Sequence, residues 1–384
     1  MRSFIVLLVA VAAVAFTRFS SLANPSPSPS PSPTPTPSPS PAVAYHAILS
    51  GTLAFTSGVN AVGSFDSPTG MDRPTRANVS NAFAIVTKSS GILQYGLQTG
   101  VYSIPVVGFA GNKTIQRGAN TNLFGPVPLA YLECAPSSNF NVSAGVLATL
   151  IGAESTFTYQ DWNIQRGAVW NVENAVSRGF RASMSSGKLT ATLGANDGFY
   201  SGHFGAAEGS LLWVPDASDS LLFVTLIPNV RTPANATASV ANKALYNLVY
   251  TRTRGNLQLA PYLLYAQSPA AQSLSYTRTE SAFGAAVLAD LALGGPWSVA
   301  ARVETLQNSS SATDTSANAD LVGYGAGSGA NTITVTPTWK HGQTFARVDF
   351  SEAHVIDSAP GLAFGASGNS RDQFRAVLEV GVQI

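Results

Sequence analysis

The sequence predicts an all-β fold: a transmembrane antiparallel up-and-down β-barrel of sixteen strands, with fourteen as the alternative count. Three observations predict it. The segment 374–384 alternates strictly, with Phe374, Ala376, Leu378, Val380, Val382 and Ile384 on one face. Arg375, Val377, Glu379, Gly381 and Gln383 fall on the other. Charged residues make up only 11% of the chain, against about 25% in soluble globular domains. Yet beyond the N-terminus no unbroken apolar run is long enough for a transmembrane helix. Third, tight polar breaks and long polar stretches take turns along the chain from Tyr45 onward. Bilayer hydrocarbon accepts strands only where every backbone group is paired in a closed barrel, apolar side chains outward and polar ones toward a wet lumen.

The N-terminus states the compartment. Arg2 precedes an apolar run from Phe4 to Phe16, and Ser21-Leu22-Ala23 offers a small-x-small cleavage site. Residues 1–23 therefore read as a secretory signal peptide, with an apolar run too short to span a bilayer. Residues 24–41 follow, with Pro at every odd position from 25 to 41 and Ser or Thr between. Such a run packs no core and adopts extended polyproline II, reaching roughly 55 Å at about 3.1 Å per residue. It is expected to form a stiff periplasmic arm, leaving 42–384 for an outer-membrane barrel.

Within that span the tight breaks fall at Ser89-Ser90, Ser137-Ser138, Ser186-Gly187, 216–219, 254–256, Gly294-Gly295 and His341-Gly342. The longer stretches are 58–78, 108–125, 155–174, 231–242, 268–279, 308–330 and 357–371. A short external link at 199–206 completes eight long or external connections against seven tight turns, which makes sixteen strands. With both ends periplasmic the count must be even, and this parity requires the weak segment 128–134 to be a strand.

Several strands declare their faces. Leu93, Tyr95, Leu97 and Val101 alternate with Gln94, Gly96 and Gln98; Leu189, Ala191 and Leu193 with Lys188, Thr190 and Thr192. Ile333, Val335, Pro337 and Trp339 alternate with Thr334, Thr336, Thr338 and Lys340, and Pro337 removes one ladder donor. Ala346, Val348 and Phe350 alternate with Arg347, Asp349 and Ser351. A secreted or surface-attached β-sandwich that binds without conducting would alternate too. Its water-facing surface would carry more Lys and Glu than this chain owns.

Other classes find little support. A net charge of +1 provides no basic stripe to displace counterions from nucleic acid. The single cysteine, Cys134, excludes an intramolecular disulfide framework and reads as a small residue packed on a strand. His354 lies near Ser351, Glu352 and Asp357, but these residues fall on both faces of one strand, which rules against a catalytic triad. The Gly-rich stretch 323–329 has no following helix to cradle a phosphate. No enzyme, cofactor or metal site is expected.

The stretch 129–183 carries a family resemblance. A strand and a short turn lead to a Gly-bearing strand ending in Leu150-Ile151-Gly152-Ala153-Glu154. A loop with Asn163 and Arg166 follows, then a returning strand with Gly179 before Arg181. This resembles the outer-membrane-protein-L-like β-barrel porins, the second barrel-porin group, although the chain lacks the terminal aromatic residue common in such barrels. The resemblance implies passive diffusion of small hydrophilic solutes or ions through an outer-membrane pore. The implied partners are outer-membrane lipid, those solutes and the barrel-assembly machinery. A second copy of the chain, and the cell wall for the proline-rich arm, are further candidates.

By the strand count, 155–174 is the third external connection, and it concentrates Asp161, Trp162, Arg166, Trp170 and Glu173. General porins fold their third loop inward, so 152–174, including Glu154, is the expected constriction. Acid and base on opposing walls there would set a transverse field. An ordinary surface loop with its tryptophans in the interfacial belt is the alternative. Arg181, Arg302, Glu304, Arg347, Asp349, Arg375 and Glu379 should face the lumen, since a charge against lipid at mid-depth costs about 2–4 kcal/mol. Arg347 and Glu379 are expected at equal depth on neighbouring strands, a modest cross-strand pair.

Overall fold

The computed structural model describes residues 43–59, 74–109, 124–200, 202–228 and 243–384. The signal peptide, the proline-rich arm and the central parts of the first, second and fifth external connections lie outside the described residues.

Every tight break found in the sequence is a turn between two strands. The sixteen are β1 (Ala44–Ser57), β2 (Thr75–Lys88), β3 (Leu93–Tyr102), β4 (Leu129–Ser137), β5 (Phe140–Ala148), β6 (Val176–Ser186), β7 (Leu189–Asn196) and β8 (Ala206–Trp213). Then follow β9 (Asp219–Pro228), β10 (Ala244–Arg254), β11 (Leu257–Ser268), β12 (Glu280–Gly294), β13 (Trp297–Asn308), β14 (Gly329–His341), β15 (Thr344–Ile356) and β16 (Asp372–Gln383). Each strand pairs antiparallel with its sequence neighbours, and β1 pairs with β16, so the sheet closes into a barrel. Closure removes the free edges a bilayer would not tolerate, and it excludes the two-sheet sandwich. No helix among the described residues is long and apolar enough to cross a membrane.

The faces follow the alternation. Phe374, Leu378, Val380 and Ile384 are exposed on the outer surface, whereas Gln373, Arg375, Val377 and Glu379 are buried inside. On β14, Thr332, Thr334 and Thr336 are buried and Val335 is exposed. Pro337 interrupts the β14–β15 ladder, which resumes in register at Thr338 opposite Arg347. Ser351 is buried inside, while His354 contacts Asp372 at 2.6 Å, so no triad forms. Cys134 is exposed.

The alternation fails at one informative place. Ser50 pairs with Asn81 and Gly51 with Val79, which leaves Ser80 as an extra residue in β2. A bulge of this kind re-aims side chains, and here Ser80 and Asn81 are both fully buried.

Candidate functional site

Loop 3 (149–175), the third of the connections at the opposite end from the tight turns, turns into the barrel. β5 ends at Ala148, so the Leu-Ile-Gly-Ala-Glu segment opens the loop instead of finishing the strand. Within it Gly152 has a left-handed φ of +87°, and a Cβ there would lie 2.0 Å from Glu173 Oε2. Its N–H donates to Asn247 Oδ1 of β10 at 3.2 Å. The loop base is tied by Thr149 to Asn174 at 3.0 Å and by Thr156 to the Ala175 carbonyl at 3.0 Å. Ile164, Gln165, Arg166 and Val169 have no exposed surface.

Such a loop must find partners for its backbone, and the wall provides them. Asp349 on β15 accepts the N–H groups of Ile164 (3.0 Å) and Gln165 (2.7 Å) and the Thr336 hydroxyl (2.6 Å). Glu304 on β13 accepts those of Ala168 (3.0 Å) and Val169 (3.3 Å). The approach at Glu304 needs a residue without a side chain: a Cβ on Gly167 would sit 1.9 Å from its Oε1. Arg302 donates to the Gln165 carbonyl (2.7 Å) and to Glu154 (2.5 Å), and lies 3.2 Å from Glu304.

Arg347 and Glu379 are directly opposed in the β15–β16 register and form an ion pair at 2.7 Å, as the spacing predicts. The pair is far from a modest surface bridge. Glu379 also accepts from Ser50 (2.9 Å), Ser80 (2.6 Å) and Thr158 (3.0 Å). Arg347 reaches back to loop 3 through the carbonyls of Asp161 (2.7 Å) and Thr158 (2.5 Å). The wall pair is thus also a clamp on the loop.

A second layer covers this one at the end of the barrel that carries the long connections. Val106 of the second connection forms a parallel bridge with Arg166, with Val107 N–H donating to the Arg166 carbonyl at 2.9 Å. Arg375 donates to the carbonyls of Val106 (2.9 Å) and Phe109 (2.5 Å). Tyr324 of the seventh connection lies tilted against Phe109 at 5.1 Å and meets Phe364 of the eighth edge-on at 5.9 Å.

All eleven sequence-predicted charged positions are described, and eight of them meet in one network through loop 3. Glu154, Asp161, Arg166, Arg302, Glu304, Arg347, Asp349 and Glu379 are enclosed in it by the contacts above, Arg166 pairing with Asp161 at 2.9 Å. Arg375 belongs to the covering layer. Arg181 pairs with Glu208 at 2.9 Å on the β6–β8 wall, which the strand order places across the barrel from β14–β16. Each guanidinium in these ion pairs has its acid on its own side of the barrel. Charges withdrawn from water must be compensated at contact distance. Trp170 is buried in the interior cluster with Phe157 and Tyr102, and Trp162 packs against the larger cluster, so neither forms part of an interfacial belt.

Glu173 stands apart. It is 6% exposed, and neither carboxylate oxygen has a hydrogen-bond donor among the described residues. Burial, then the neighbouring charges of Glu154 and Glu304, push its pKa well above the ordinary carboxylate value. Burial also raises Glu154 to about 7 against the pull of Arg302, and Asp161 to about 6 against Arg166. Sequence reasoning missed Ser50, Ser80, Asn81, Asn247 and Tyr262. The alternating threonines of β14 did signal a polar inner face.

The comparisons fit this geometry. Residues 49–384 match the family model described as "Putative beta-barrel porin-2, OmpL-like". The chain belongs to this family. Membership places the barrel in the outer membrane, and family and fold together point to a channel rather than an enzyme. No curated protein shows significant similarity to the chain. Among solved structures, the outer membrane channel DcaP of Acinetobacter baumannii is 10% identical, with 89% of this chain and 97% of that one covered at a TM-score of 0.57. Salmonella typhi OmpF, in complex with daunomycin, is 11% identical over the same shares at 0.54. Vibrio cholerae OmpT in its trimer form is 10% identical, covering 88% and 98%, also at 0.54. At these identities the likeness is one of fold.

Proposed function

We propose that this family member is a diffusion porin: a water-filled passage for small hydrophilic solutes, narrowed by loop 3, with both ends of the barrel sheet on the periplasmic side. The observation that carries this reading is the docking of loop 3. A polar loop is enclosed in the barrel and fastened to β13–β16 by Arg302, Glu304, Arg347, Asp349 and Glu379. A loop fastened to the wall from β10 through β16 to β2 narrows the lumen toward the side that remains. That side is the β6–β8 wall, where Arg181, Ser183, Thr192 and Glu208 present a polar surface. The residues of loop 3 and of this wall are proposed as the two banks of the constriction. A homo-oligomer is the proposed assembly, supported by the trimer form among the fold neighbours. Liposome swelling tests the reading. Purified protein should admit small sugars and amino acids at rates that fall with solute size. Liposomes that stay impermeable to all of them would overturn it.

A further inference from the structure

Among the described residues, Glu173 is the acid of loop 3 without a donor on either oxygen, and its surroundings define what it needs. From loop 3 itself Glu154 faces it; from β13, Glu304 and Arg302; from β11, Tyr262; from β10, Asn247 lies behind Gly152. Arg302 is committed to Glu154 and Glu304, and neither of its ion pairs reaches Glu173. Asn247 is spent on Gly152 N–H and the Leu263 carbonyl. Tyr262 is 2% exposed, and its hydroxyl also lacks a partner among the described residues. A buried carboxylate among like charges, with no donor, is stable only as the neutral acid.

The same residue sits where loop 3 is held. Glu173 closes the short helical turn Trp170–Val172, directly after the limb whose amides, Ala168 and Val169, bond to Glu304. Its carboxyl lies against Gly152, where there is no room to retreat. We propose that loop 3 carries a proton-operated latch: Glu173 packs as the neutral acid, and its ionisation drives the limb 167–173 away from the β11–β13 wall. On the porin reading, release of the limb widens the passage. The sign follows from the protonated form being the docked one: docking is strongest at low pH and weakens as pH rises through the docked-state pKa. The large upward displacement of that pKa supports the geometry.

The test is amide hydrogen exchange on the full chain folded in lipid, followed between about pH 5 and about pH 9 and corrected for intrinsic exchange. The Ala168 and Val169 amides should lose protection as pH rises, by about tenfold per pH unit, the slope of one proton, until the docked-state pKa is reached. Glu173→Gln should keep them protected throughout. Flat protection in the native chain, or an unchanged pH profile in the Gln variant, would overturn the latch. Bilayer conductance, measured alongside, should rise over the same range. Loss of protection without any conductance would leave the latch standing and overturn the porin reading instead.

Discussion

Replacing Arg347 by Met removes the clamp between wall and loop while keeping the side chain's bulk. The guanidinium donates to two loop carbonyls, Asp161 at 2.7 Å and Thr158 at 2.5 Å, and to Glu379 at 2.8 Å. Hydrogen bonds to charged groups contribute about 1.5–3 kcal/mol each, so the two loop bonds hold docking by about 3–6 kcal/mol. Losing even the lower figure reduces the docked-to-free ratio on the order of 100-fold, at about 1.4 kcal/mol per factor of ten. Glu379 loses its counter-charge, at about 3–5 kcal/mol, but it keeps the hydroxyls of Ser50 and Ser80 and the strand ladder is untouched, so the barrel should still form. Loop 3 carries its own reporter, Arg166, which is fully buried in the native chain. Trypsin should cut at Arg166 in the Met variant and spare it in the native protein, and open-channel conductance should rise. A variant with native conductance and an intact Arg166 site would refute the assignment of Arg347 as the clamp.

Four further outcomes are expected. Glu379→Gln leaves Arg347 enclosed without its counter-charge and should cost about 3–5 kcal/mol, read as earlier loss of the folded band on heating, where a surface pair would give only a mild effect. Val380→Lys puts a cation on the exposed outer face at about 2–4 kcal/mol near mid-depth, so membrane-inserted protein should fall sharply. Asp349→Ala removes the acceptor for Ile164 and Gln165, so exchange at those two amides should accelerate while barrel amides stay protected. In a Cys134→Ser background, Thr313→Cys should react with an impermeant thiol reagent on intact cells and Ala217→Cys should not; labelling of both would break the topology.

The barrel was legible because its physics is periodic. Strict alternation in 374–384, Gly294-Gly295 and His341-Gly342 as turns, and an even strand count all express the same closed sheet. The inward charges were legible for the same reason, and with them the pairing of Arg347 with Glu379. What the sequence did not disclose is local or tertiary. The bulge at Ser80 turns two successive residues inward, which no period of two can signal. β5 ends at Ala148, and Gly152, in a left-handed backbone conformation, lies in the loop that opens at a segment reading as strand. The acceptors for the loop's amides lie more than a hundred residues away on β13 and β15, and a linear pattern carries no information about such meetings.

The central claim is that loop 3 sets the width of a conducting barrel. Single-channel recording of the native chain beside a variant lacking 161–173 tests it most directly. The account predicts discrete conductance steps for the native protein and larger steps for the deletion, with the heat-modifiable barrel preserved. Steps of equal size in the two proteins would contradict it.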